Sequence, residues 1–191
     1  MNIYSQLSLL VFVIYLFMGF YALKLDKKSR LNQIFFILSL AMAIWSFFFA
    51  FYYSAPDKNS AYFFYYLSSL GRCTHPALLL IFALVLTNRK KILEKRNLII
   101  LICLPALIFV WQTFTAPFIT SDLVLVGGVW YEVLLSKSLW WMIYSIYFIG
   151  YDLMALFLVW NWGQETTSKR EKKQSQNILQ CRISIVHCLI T

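Results

Sequence analysis

The chain has 191 residues, of which 61% are hydrophobic and 19% aromatic, while 13% are charged and the mean hydropathy is +0.68. A soluble domain is about 45–50% apolar and about 25% charged, so this composition excludes a soluble enzyme and a disordered chain alike. The net charge of +9 would suit a nucleic-acid partner only if it were gathered into a basic domain. It is spread over short loops between apolar runs, and no nucleic-acid partner is expected.

Those runs approach twenty residues, the length a helix needs to cross a hydrocarbon core of roughly 30 Å. In chain order they cover residues 4–23, 31–53, 61–87, 98–115 and 139–160, and a sixth begins near Asn177. The N-terminus carries no basic segment and no small-residue cleavage site, so the first run is retained as a helix and not removed as a signal peptide. The sixth run reaches Thr191 after fifteen residues, and a helix of that length rises only about 22 Å. The expectation is an all-α integral membrane protein: a polytopic bundle of about six hydrophobic helices, the last truncated. A short helix buried in the bundle is the alternative for that last run.

Residues 122–133, between runs four and five, differ in kind. Two stretches rich in β-branched residues flank Gly127-Gly128, and a tight two-residue turn needs positive φ at both central positions. This predicts a short extracellular β-hairpin between helices four and five.

Alternate loops differ sharply in charge. The loops after runs one, three and five hold Lys24, Lys27, Lys28 and Arg30; Arg89, Lys90, Lys91, Lys95 and Arg96; and Lys169, Arg170, Lys172 and Lys173. The other two loops carry only Lys58 and Lys137. By the positive-inside rule the N-terminus is outside the cell membrane and the basic loops are cytoplasmic, beside anionic lipid heads.

Within the apolar runs, interest centres on Gly71-Arg72-Cys73-Thr74-His75-Pro76. Pro76 has no N–H, so the Arg72 carbonyl loses its helical partner and a kink is expected at Pro76. An intramembrane charge normally faces the bundle and finds a partner. Arg72 lies about eleven residues, roughly 16 Å, below the outer end of its run, and Asp152 about thirteen, roughly 20 Å. Those depths suggest an Arg72–Asp152 pair, with Arg182 competing for the carboxylate. Arg72, His75, Asp152 and Arg182 therefore form a candidate intramembrane polar cluster, either structural or a ligand or proton site. Aromatic residues crowd 47–53 and 62–66, as an interfacial belt or as a pocket for an apolar ligand.

Catalytic and metal chemistry find no footing. Cys73 and His75 are two apart and His187 and Cys188 adjacent, so on a helix neither pair shares a face. All four cysteines lie in apolar runs and read as small core residues. No glycine-rich phosphate loop, nucleophile elbow or His-Glu-x-x-His occurs. No catalytic residues, metal or cofactor are expected, and the chain itself is not an enzyme.

Several stretches nevertheless form a pattern. They are Gly-Phe-Tyr-Ala-Leu-Lys-Leu-Asp-Lys-Lys-Ser-Arg-Leu-Asn-Gln-Ile-Phe-Phe from Gly19, Ala43-Ile44-Trp45-Ser46-Phe47, Leu67 to Gly71, Pro76 to Thr87, and Lys172-Lys173-Gln174. Together they resemble the N-terminal seven-transmembrane sensor region of histidine kinases, with departures at Arg72 and Thr74-His75. The resemblance implies that residues 1–191 are one membrane-embedded sensory input domain, incomplete at the C-terminus, feeding a histidine-kinase output module in a two-component system. The partners it implies are the lipid bilayer, a small apolar or membrane-borne ligand, and a second copy joined through the output module. The competing class is a small transporter or channel subunit using Arg72 and Asp152 as its path.

Overall fold

The computed structural model describes residues 2–89, 94–115, 120–134, 138–166, 172–173 and 176. The sixth run, with Arg182 and His187, lies outside the described residues. The elements are α1 (Ile3–Leu25), α2 (Arg30–Tyr53), α3 (Lys58–Arg72), α4 (His75–Leu86), α5 (Arg96–Thr115), β1 (Thr120–Val126), β2 (Val129–Leu134) and α6 (Leu139–Glu165). With α3 and α4 taken as one run, five helical segments among the described residues are long and apolar enough to cross a membrane. Large apolar side chains line their surfaces, among them Phe17, Trp111 and Ile146, each at least 70% exposed. Hydrocarbon, in which a helix satisfies its own backbone groups, is the solvent for such a surface.

Small residues decide how closely the helices approach. The buried residues of α1 are Ser5 and Gly19, and α1 packs chiefly on α2. Ser5 Oγ donates to the Ala50 carbonyl at 2.7 Å, and a Cβ built on Gly19 would lie 3.0 Å from Ser39 Cβ. The α2–α3 approach is closer still. A Cβ on Gly71 would fall 2.1 Å from the Ala41 carbonyl oxygen and 2.7 Å from Trp45 N. In lipid, where apolar surface has no preference for protein over acyl chains, backbone contact of this kind supplies much of the packing.

Along the bundle the core forms three layers. Tyr52, Ala61, Tyr65, Leu123 and Trp130 lie at the hairpin end. Cys73, Ala77, Ala106, Phe109, Tyr144 and Tyr147 form the middle. Leu80, Ala83, Leu84, Ala155 and Val159 lie toward the opposite end. The third apolar run breaks in the middle layer: α3 stops at Arg72 and α4 restarts at His75 with Pro76 in its first turn. Tyr147 Oη donates to the Cys73 carbonyl at 2.8 Å, and Thr74 Oγ1 donates to the Leu70 carbonyl at 2.5 Å, so polar side chains satisfy carbonyls at the break.

The two strands pair antiparallel with Val126 opposite Val129 and Leu123 opposite Glu132. Gly127 and Gly128 both have positive φ, +58° and +79°, the geometry of a two-residue turn whose twist matches its strands. In the chain the hairpin falls between the fourth and fifth apolar segments.

Gly71→Ala should therefore weaken the α2–α3 contact by about 1–3 kcal/mol, the usual range for overpacking. Gly150→Ala, with nothing within 4 Å of its added Cβ, should be neutral or stabilising by up to about 1 kcal/mol. Reversible denaturation in mixed micelles, followed by circular dichroism, checks both. Equal stability of the two variants would refute the close approach.

Candidate functional site

The hairpin-end layer begins with the first turn of α3. Asp57 caps it, accepting from Ser60 N at 2.9 Å and Ser60 Oγ at 2.8 Å. That fixes the phase of a helix on which Tyr62, Tyr65 and Arg72, spaced by three and seven residues, fall on one face. The hairpin lies against that face. Lys58 Nζ meets Asp122 Oδ1 at 2.6 Å and Tyr62 Oη donates to the same oxygen at 3.0 Å. Trp130 Nε1 donates to the Ala55 carbonyl at 2.9 Å. Asn2, the cap of α1, donates through Nδ2 to the Tyr53 carbonyl at 2.6 Å and the Gly128 carbonyl at 3.4 Å, so the N-terminus is tied to the same end.

Arg72 and Glu132 occupy the centre of this interface. Arg72 is 6% exposed. Its Nη1 stands 3.9 Å from Glu132 Oε1, and its guanidinium carbon lies 4.5 Å from the centre of the Tyr65 ring, a cation–π contact strengthened by desolvation. Tyr65 Oη donates to Glu132 Oε2 at 3.2 Å. Among the described residues, Arg72 Nε and Nη2 and Tyr52 Oη are buried without a hydrogen-bond partner.

Among the described residues, the carboxylate within ion-pair distance of Arg72 is Glu132 of the hairpin, whereas depth counting points to Asp152. Two contacts set the register of α6 against the third run. Tyr147 reaches Cys73, next to Arg72, while Glu165 Oε2 meets Arg89 Nη2 at 3.2 Å near the opposite end. Asp152 lies five residues beyond Tyr147, about 7.5 Å deeper along the helix and turned well away from it, level with the first turns of α4. The count from helix ends misleads because the first turns of α3 pack on the hairpin, so the two ends are not at one height. His75 is placed differently from Arg72: its ring lies 6.4 Å from that of Trp45 and 6.0 Å from that of Phe148. Pro76 is buried in the first turn of α4, and Arg182 lies outside the described residues.

Sequence reasoning passed over Glu132, Tyr65 and Tyr52 as partners of Arg72. A signal was present. Glu132 shares one face of the strand pair with Leu123 and Trp130, two of the buried apolar residues of the hairpin, and an acid on such a face requires a partner. Tyr52 and Tyr65 are each 1% exposed, so they belong to the core beneath the hairpin and face neither lipid nor water.

The hairpin carboxylates are poised in opposite directions. The Lys58 ammonium above all, with the Leu123 N–H and the Tyr62 hydroxyl, holds Asp122 below the ordinary carboxylate range. Burial pushes Glu132 up, and the attraction of Arg72 and the bond from Tyr65 only partly oppose it. A groove of about 310 Å³ that Arg72 and Glu132 do not line is bounded by Ile37, Ala41, Leu70, Thr74, Ala77 and Cys103, among others, and is almost wholly apolar.

In comparison with known families, residues 7–186 match the family described as the N-terminal 7TM region of histidine kinase. No curated protein and no solved structure matches the chain.

Two outcomes follow from this geometry. In double-mutant cycles, Arg72→Leu and Glu132→Leu should couple by about 1 kcal/mol or more, and Arg72→Leu with Asp152→Leu should couple less. The pH dependence has two limbs. A carboxylate raised in the docked state, Glu132, lets docking weaken as pH rises above its ordinary value of 4.5. A depressed one, Asp122, lets docking weaken as pH falls below 3.8. Amide exchange in the hairpin, corrected for intrinsic rates, should be slowest in mild acid. Glu132→Gln should flatten the upper limb and Asp122→Asn the lower one.

Proposed function

Because the chain belongs to the family of N-terminal seven-transmembrane regions of histidine kinases, we propose that it is the membrane sensory input domain of such a kinase and that its hairpin end receives the signal. The matched region is the sensory part of these kinases and not a catalytic domain. The observation that carries the reading is the buried Arg72–Glu132 contact, in which an intramembrane cation is paired by a segment that is not part of the helical bundle. Charges within membrane segments are retained mainly where they serve function.

The hairpin end faces outward and the loops around Lys24–Arg30 and Arg89–Arg96 face the cytoplasm; the charge asymmetry of the loops supports this orientation. A ligand or a change in the membrane that moves the hairpin removes the partner of Arg72. Arg72 is the last residue of α3 and abuts the break at Cys73-Thr74, so α4 can tilt or turn at a point where Pro76 removes a rung of the helical ladder and side chains hold neighbouring carbonyls. The Arg89–Glu165 contact joins the far ends of α4 and α6 and carries that displacement to the cytoplasmic side, where an output module follows. The bistable element is the docked or undocked hairpin, and a signal acts by binding one of its states better than the other.

Impermeant thiol labelling should mark Lys58→Cys from outside intact cells and spare Ser29→Cys. Autophosphorylation by a kinase carrying this domain should change its basal level at least severalfold in Trp130→Ala, which loosens the hairpin. Labelling from the opposite side overturns the orientation, and kinase output indifferent to Trp130→Ala and Asp122→Asn overturns the sensory role of the hairpin.

A further inference from the structure

We propose that the buried edge of Arg72 beneath the hairpin, unpartnered among the described residues, is a binding site for a small water-borne carboxylate, an inference that rests on the sensory reading above. The guanidinium is planar and carries five N–H donors in a fixed fork. Tyr65 covers its face at 4.5 Å, and Glu132 approaches the Nη1 corner at 3.9 Å, which is too long for a hydrogen bond. The two atoms left without partners among the described residues, Nε and Nη2, are neighbours along one edge. Their N–H bonds point the same way, and that edge accepts a carboxylate through two parallel hydrogen bonds. Arg72 is 6% exposed, so the edge is turned inward.

Tyr52 adds a second, independent feature. It is 1% exposed, its ring lies 5.9 Å from that of Tyr65, and its hydroxyl also has no partner among the described residues. One ligand bearing a carboxylate can use both donors of the fork, with the hydroxyl as a third. An apolar ligand would leave all of them unsatisfied. A phosphate dianion would set excess negative charge beside Glu132, whereas a monoanion needs only one compensating proton.

Glu132 is placed to take that proton. The charged and titratable groups around Arg72 are Tyr52 of α2, Tyr65 of α3, Cys73 at the break, Tyr144 of α6 and Glu132 of β2. Of these Glu132 is the carboxylate, it lies on the hairpin outside the membrane-spanning helices, and burial raises it toward the neutral acid. Entry of the anion moves a solvent proton onto Glu132, which leaves a neutral acid beside an Arg72–ligand ion pair, so that the ligand replaces Glu132 as the charged partner of Arg72.

The test uses the full chain in nanodiscs of zwitterionic lipid, with propionate as the probe and saturation-transfer NMR as the readout, chloride being the control anion. Wild type should give a saturable signal that tightens by up to about tenfold for each unit of acidification in the neutral range. Arg72→Lys keeps the charge and loses the fork, and should weaken binding by about tenfold or more. Glu132→Gln should bind more tightly at neutral pH and lose the pH dependence. Tyr52→Phe preserves the ring and should weaken binding severalfold, which decides the matter if Arg72→Lys does not fold. Glycine run beside propionate separates an amino-acid α-carboxylate from a simple acid. No saturable signal in wild type and Glu132→Gln, or equal binding by Arg72→Lys and wild type, overturns the site. If propionate fails to bind while the kinase still responds to hairpin variants, the carboxylate site falls and the sensory reading stands. If propionate binds without altering kinase output, the site stands and the reading falls.

Discussion

A guanidinium buried among apolar helices needs a carboxylate, and here the carboxylate arrives on a β-hairpin that is not part of the bundle. Arg72 has no neutral form at accessible pH, so the protein cannot escape the desolvation penalty by releasing a proton. It must bring Glu132 to the charge, cover the cation with the Tyr65 ring, and keep the hairpin seated. Removing one member of such a pair is far more damaging than removing both, so the docked hairpin is a condition for the stability of α3.

The other tethers follow from that requirement. Trp130 to Ala55, Tyr62 and Lys58 to Asp122, and Asn2 to Gly128 lie around the central charge contact. Each is modest alone, and an exposed ion pair such as Lys58–Asp122 contributes at most about 1 kcal/mol. Together they order the strands enough for Glu132 to reach its partner. The break at Cys73-Thr74, directly beyond Arg72, places the end of the charge cluster at the start of the segment that leads toward the opposite end of the bundle. Stability of the hairpin interface and freedom of α4 are therefore coupled through one residue.

The small residues set the geometry on which this depends. Gly71 lets α2 and α3 approach until a methyl group would overlap the Ala41 carbonyl, and that proximity lets Tyr52 and Tyr65 share one core layer with Leu123 and Trp130. A bulkier residue at Gly71 would push α3 outward at the turn that ends in Arg72. The apolar groove beside Leu70 and Thr74 is the reverse side of the same packing, where α2, the break and α5 do not close.

Composition, run length and turn chemistry by themselves determined that this is a helical membrane protein, where its apolar segments lie, and that residues around Gly127-Gly128 form a hairpin. These features are local, because twenty apolar residues must be helical in lipid and two glycines at positive φ must turn. The motifs around Lys24–Arg30, Ala43–Phe47 and Pro76–Thr87 were specific enough to identify the family. Which carboxylate meets Arg72 was beyond their reach. Helix ends give depth only if they share a height, and the first turns of α3 pack on the hairpin, so equal counts placed Asp152 opposite Arg72 when the register set by Tyr147 and Glu165 puts it deeper. Glu132 carried a readable sign, an acid on the apolar face of a strand, but its meaning depended on the hairpin folding back over α3. That contact joins residues sixty apart in the chain, and only the tertiary structure could decide it, because the interaction energy of a buried charge depends on distance and desolvation and not on sequence separation.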